Sequence, residues 1–172
     1  FGIREHGMAA IINGISLHSK LFAYGSTFLV FSDYMRPSIR LGSLMNLNSS
    51  FIFTHDSIYL GEDGPTHQPV EHLMSLRLIP NIELIRPANN IEIQHSYKYL
   101  FSDKNQTKVL VLTRQDLPYF DNVVSYEEFI QGAYEISSGS DLTLIATGSE
   151  VHLALKIKDL LKDANQVKRT PQ

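Results

Sequence analysis

The chain has no cysteine. That absence removes disulfides, zinc–thiolate sites and thiol nucleophiles together, and it fits a reducing, cytoplasmic setting. It also has no block of lysine and arginine, and its net charge is −3. A phosphate-backbone partner is therefore not expected, and nucleic-acid binding is set aside. No apolar run approaches the ~20 residues that a membrane span requires. There is no signal-peptide pattern, no internal repeat and no low-complexity segment.

What remains is the composition of a globular protein, with 43% hydrophobic and 19% charged residues in 172. That length accommodates one domain with a real core and is too short for two full ones. The chain opens at Phe1 inside the charged run IREHG and ends on VKRTPQ, so it is expected to be a piece of a longer protein.

Strand-length apolar runs alternate with helical patterns. Strands are expected over Thr27–Phe31, Ser50–Thr54, Ile82–Ile85, Lys108–Thr113 and Leu142–Thr147. Helices are expected over Met8–Gly14, over Met35–Leu47 with Pro37 in the first turn, over Pro69–Leu78, and over Ile91–Phe101 behind the Asn89-Asn90 pair. A last helix is expected over Val151–Lys162. Strand and helix in alternation predict an α/β fold, a parallel sheet flanked by helices. Residues 118–140 read as a connection, punctuated at Asp121-Asn122 and Ser137–Ser140. The final strand and helix cannot bury a core by themselves, so they are expected to begin a second α/β domain.

The densest chemistry lies in THDSIYLGEDGPTHQPVE (54–71), a Gly/Pro-bearing loop that follows a buried-type strand. It carries His55, Asp56, Asp63 and His67. Two imidazoles beside an acid suit proton transfer, or hydrogen bonding to a polyhydroxylated substrate. No helical HxxxH and no oxygen cage accompany them, so no metal ligand is assigned. Four further features each have two readings. Glu5 is a helix-start acid favoured by the dipole, or a catalytic acid. Phe28, Phe31 and Tyr34, spaced i, i+3, i+6, form a core face or a wall for stacking a heterocycle. Arg114, at the carboxyl end of a strand, binds an anion or makes a surface ion pair. Gly148-Ser149-Glu150 reads first as a plain strand–helix turn, and second as a phosphate cradle.

Together the runs FGIREHG (1–7), GSTFLVFSDY (25–34), THDSIYLGEDGPTHQPVE (54–71), LIPNIELIRPA (78–88) and VLTRQDLP (111–118) resemble transketolase in content and order. LIATGSEV (144–151) is similar to the opening of that family's C-terminal domain. The resemblance implies a thiamine-diphosphate-binding pyrimidine domain over 1–118, lacking its first elements. A linker would follow over 119–140, and a truncated C-terminal domain over 141–172.

The resemblance also assigns roles. Glu5 would hydrogen-bond the cofactor's aminopyrimidine, and Phe28, Phe31 and Tyr34 would surround that ring. His67 would assist proton transfer near the reacting hydroxyls. Asp63 would bind a substrate hydroxyl, and His55 and Arg114 the phosphate of a sugar phosphate. The implied reaction moves a two-carbon ketol group from a ketose phosphate to an aldose phosphate. The family's Gly-Asp-Gly motif, which serves Mg²⁺ and the diphosphate, is absent here. Those ligands are expected in a missing N-terminal domain, the diphosphate-binding domain, supplied by a second subunit or chain, the family being homodimeric. The chain alone is accordingly expected to be inactive. A non-catalytic remnant, a subunit of a split enzyme and a dihydroxyacetone synthase are the alternative readings.

Overall fold

The computed structural model describes residues 2–19, 21–102, 104–119 and 124–167, with side chains of the last helix described to residue 162. Phe1, Asp121-Asn122 and the tail from residue 168 lie outside them. The described elements are α1 (Glu5–His18), β1 (Ala23–Phe28), α2 (Ser32–Leu44), β2 (Ser49–Thr54), α3 (His72–Arg77), β3 (Ile82–Ile85), α4 (Asn90–Leu100), β4 (Thr107–Leu112), α5 (Tyr126–Phe129) and α6 (Glu150–Val167).

The four strands form one parallel sheet in the order β1-β2-β4-β3. The central positions fall to β2 and β4, the two strands buried along nearly their whole length. That matches their sequences: a strand covered on both faces needs an almost continuous apolar run. Side-chain alternation then divides the core. Phe51, Phe53, Val109 and Val111 point to one face, with Ala9 and Ile12 of α1, Met35 and Ile39 of α2, and Leu76 of α3. Ile52 and Leu110 point to the other, against Leu100 of α4. Helices on both faces of a parallel sheet are the expected architecture.

Helix ends follow local chemistry where a cap is available. Asn89 Oδ1 accepts from Glu92 N at 2.9 Å, and Glu92 Oε2 accepts from Ala88 N at 2.8 Å, which starts α4 where the Asn pair predicts it. At the far end of α4 the ammonium of Lys108, wholly buried, donates to Ser102 O at 2.9 Å, Lys104 O at 3.3 Å and Leu100 O at 3.4 Å. It also donates to Asn48 Oδ1 at 3.0 Å. A strand residue thus caps the helix that packs on its own sheet.

Three expectations need correction. The first strand is Ala23–Phe28 rather than Thr27–Phe31. Leu29–Phe31 instead forms a 3-10 turn leading straight into α2, with Leu29 buried in the core and Val30 and Phe31 half-buried. A Cβ at Gly25 would stand 2.6 Å from Ile12 Cδ1, so this edge strand owes its close approach to α1 to a residue with no hydrophobic signal. Pro37 lies in the second turn of α2, not the first. The carbonyl it deprives is that of Asp33, on an exposed face where water can replace the lost bond. Finally, Leu142–Thr147 is not a strand. No described segment pairs with it, Leu142 is exposed, and Ile145 is 94% exposed. Strand propensity yields a strand only where a neighbour completes the ladder.

Part of the expected connection is packed. Val124 O accepts from His95 Nε2 at 2.9 Å, and the His95 ring lies 5.6 Å from both Tyr126 and Phe129 of α5. Among the described residues no helix is long and apolar enough to cross a membrane.

Candidate functional site

Register aligns the carboxyl ends of three strands. Phe28 of β1 pairs with Thr54 of β2, and Thr54 with Leu112 of β4. The residues just beyond this row therefore emerge side by side: Leu29–Phe31 after β1, His55-Asp56 after β2, and Thr113-Arg114 after β4. This is the edge at which open parallel sheets hold ligands.

Five rings converge there. The Phe28 centroid is 6.0 Å from Phe31 and 5.0 Å from His55, and Phe31 is 6.0 Å from Tyr34. His67 meets Phe28 and Phe31 edge-on at 5.9 and 5.4 Å. Of the two readings of the i, i+3, i+6 aromatics, the core face does not hold: Phe28 and Phe31 are half-buried and Tyr34 is 64% exposed. They form a partly open wall.

The loop from Gly61 to Gln68 brings His67 over that wall. Gly61 and Gly64 both have positive φ, 90° and 79°, which an L side chain adopts only with strain. Gln68 Nε2 donates to Gly61 O at 3.0 Å and His67 N to Gly64 O at 3.1 Å, closing the loop on itself. Thr66 Oγ1 lies 2.9 Å from His67 Nδ1 and fixes the ring's orientation. Asp63 is exposed on the same loop.

His55 sits at the centre, with Nδ1 buried and without a hydrogen-bond partner among the described residues. Its pKa is lowered below the ordinary value, first by burial and then by the positive charge of Arg114; Asp63 and Asp56 pull the other way. Arg114, Asp63 and Asp56 therefore all stand near enough to act on His55. The folded chain holds this proton less tightly than the unfolded one. Stability present above the unfolded value of about pH 6.5 is consequently lost as the pH falls from there toward the folded value. Arg114→Leu is expected to raise the His55 titration midpoint and Asp63→Asn to lower it further, both read by histidine-observed NMR. Unchanged midpoints in both variants would separate these residues from His55.

Glu5 arrives on a different element. It is the first residue of α1, half-buried, and no side chain caps that helix start. The amino end of α1 is held to α2 by Ser38 Oγ, 3.3 Å from His6 Nδ1 and 3.4 Å from His6 O, one helical turn after Tyr34. Among the described residues no ion pair or ring contact joins Glu5 to the five-ring cluster. The structure thus gathers Phe28, Phe31, Tyr34, His55, Asp63, His67 and Arg114, and places Glu5 on the neighbouring helix.

Sequence reasoning passed over one part of this edge. Asp56, next to His55, is buried and pairs with Arg86 at 2.6 Å, and Arg86 also pairs with Glu150. The available signal was an arginine directly after a strand, in LIPNIELIRPA. A second such group is His72, buried, with Nε2 3.2 Å from Asp33 Oδ2 and Nδ1 3.9 Å from Glu71 Oε2. It ties the far end of the loop to α2.

Comparison with known proteins decides the family. The family model described as "Transketolase, pyrimidine binding domain" matches residues 1–119. The chain belongs to that family. It is 52% identical over 164 residues to the transketolase of Cereibacter sphaeroides, covering 94% of this chain and 25% of that one. It spans about a quarter of the length of the curated transketolases it matches. Among solved structures, the Pichia stipitis transketolase in complex with sedoheptulose-7-phosphate matches with a TM-score of 0.89 and 41% identity, over 95% of this chain and 25% of that one. A split-gene transketolase, solved as an inactive β4 tetramer, shares the fold at a TM-score of 0.80 and 24% identity, over 96% of this chain and 53% of that one. The parallel sheet of the transketolase pyrimidine domain is therefore the fold of this chain, and its carboxyl edge carries the residues that the motif resemblance singles out, apart from Glu5 at the start of α1.

Proposed function

We propose that the chain supplies the pyrimidine-side half of a transketolase site, acting with a diphosphate-binding domain from a second subunit or chain. What supports this most is the convergence of Phe28, Phe31, Tyr34, His55 and His67 at the carboxyl edge of the sheet, with Arg114 near enough to act on His55. The residues present fit the heterocyclic part of thiamine diphosphate. A half-open aromatic wall suits a flat ring, and Glu5, on the adjoining helix, offers a carboxylate for a ring nitrogen. They do not fit its charged part, since the chain has no Gly-Asp-Gly motif for a metal and diphosphate.

Bound there, thiamine diphosphate would supply an electron sink for breaking and making a carbon–carbon bond. The chain's own residues would do the rest. Glu5 would hold a proton against the aminopyrimidine. The His67 imidazole, oriented through Nδ1, would take up and release protons at Nε2 beside the reacting hydroxyls. Asp63 would accept a hydrogen bond from a substrate hydroxyl. Arg114 would bind the sugar phosphate through charge-assisted bonds, and His55, kept neutral, would donate a further one. A two-carbon ketol transfer between sugar phosphates is the reaction this set serves.

Titrating thiamine diphosphate and Mg²⁺ into the purified chain, with and without a transketolase diphosphate-binding domain, tests the reading. Ketol transfer is expected only with the partner present. Turnover by the chain alone would overturn the half-site, and no turnover in any reconstituted pair would overturn the activity.

A further inference from the structure

Arg86 follows the last residue of β3, at the same sheet edge as His55, and its side chain is almost wholly buried. Nε donates to Asp56 Oδ2 at 2.7 Å, and Nη2 lies 2.6 Å from the same oxygen. On its other side Nη1 donates to Thr147 O at 3.1 Å and pairs with Glu150, while Nη2 reaches Ser149 Oγ at 3.4 Å. Burial by itself would lower the guanidinium's pKa, but Glu150 and Asp56 outweigh it and hold it raised.

The main chain repeats the same junction. Gly148 N donates to Arg86 O at 3.1 Å, and His152 Nε2 lies 3.1 Å from Ala88 O. Gly148 has φ +59°, and a Cβ there would stand 2.6 Å from Arg86 Nε. The 147–150 turn closes over the guanidinium because that position has no side chain. One cation therefore joins the start of α6 to Asp56, and Asp56 is bonded to His55. A cleft of about 310 Å³ beside this junction is lined by Asp56, Ser57, Arg86 and Glu150.

We propose that Arg86 is a positioning residue: through Asp56 it sets where His55 stands, and through Glu150 it makes that position depend on the seating of the 147–150 turn. The physical reason is that a buried carboxylate follows its partner. Among the described residues Asp56 pairs with one cation and its Oδ1 has no hydrogen-bond partner, and its main chain is continuous with His55. This rests on the proposed reading of His55 as part of a phosphate-binding pair with Arg114. Lysine cannot replace Arg86, because a single ammonium cannot serve Asp56, Glu150 and Thr147 O in three directions.

The test uses the 172-residue chain, labelled at histidine, with inorganic phosphate as the probe. In Glu150→Gln, which leaves Asp56 and Arg86 paired, the His55 ring signals are expected to move. Those of His95, packed on α5, should stay. Phosphate affinity followed at His55 is expected to fall about threefold or more in Glu150→Gln, and further in Arg86→Lys. His55 signals unchanged in a folded Glu150→Gln variant would overturn the proposal. Should Arg86→Lys fail to fold, by circular dichroism, Glu150→Gln still decides. Should wild type bind no phosphate at His55, the phosphate-binding reading fails, while displacement of the His55 signals still supports positioning and its absence still defeats it.

Discussion

Exchanging Glu5 for glutamine is expected to lower ketol transfer about 100-fold or more in the complex of this chain with a diphosphate-binding partner, while the KM for sugar phosphate changes far less. Glutamine keeps the size of the side chain and its capacity to hydrogen-bond, but cannot hold a proton against a ring nitrogen. The alternative role of Glu5 is also physical: it is the acid in the first turn of α1, where the helix dipole favours negative charge. That role alone would cost roughly 0.3–1 kcal/mol of stability and leave turnover untouched. Measuring kcat and thermal stability on one variant separates the two. A large loss of rate with an unchanged melting temperature supports the proton-holding role, and a lowered melting temperature with wild-type turnover sinks it.

Lys108→Met is the substitution expected to damage the fold most, by about 3–5 kcal/mol in urea unfolding. Methionine fills nearly the same space, so the loss is not a cavity effect. It comes from leaving the carbonyls of Leu100, Ser102 and Lys104, and Asn48 Oδ1, without the donor they now share. Those carbonyls close α4 against β4, and water has poor access to a wholly buried side chain. A loss below about 1 kcal/mol would show that the end of α4 is satisfied without the ammonium. The same edge holds Tyr99, whose hydroxyl donates to Glu83; burial first, and that carboxylate second, push its pKa up, so it stays neutral.

How much of this was legible in the sequence depended on the range of the interactions involved. Continuous apolar runs marked β2 and β4 because a central parallel strand is covered on both faces, whatever covers it. The Asn89-Asn90 pair marked the start of α4 because a cap is settled within a few residues. The glycines and proline of 61–65 forced a loop for the same local reason. By contrast β1 was misplaced, since an edge strand with Gly25 at its tightest contact carries little hydrophobic signal. Leu142–Thr147 reads like a strand and is none, because pairing is a property of two segments and propensity of one. The aromatic spacing from Phe28 to Tyr34 read first as a core face, and the fold left Tyr34 exposed.

The sequence by itself determined that this chain makes an α/β sheet, that its chemistry gathers in residues 54–71, and that it carries the ordered motifs of a transketolase pyrimidine domain. Those features are written in neighbouring residues: period, turn chemistry, and runs of a few side chains. Only the tertiary structure decided which of those groups meet. His55, Asp63, Arg114 and the aromatic wall come from the ends of three strands, and the Asp56–Arg86–Glu150 junction spans three elements far apart in the chain. Register and strand order placed them at one edge, and neither can be read from one segment alone, because each is fixed by the pairing of strands distant in sequence.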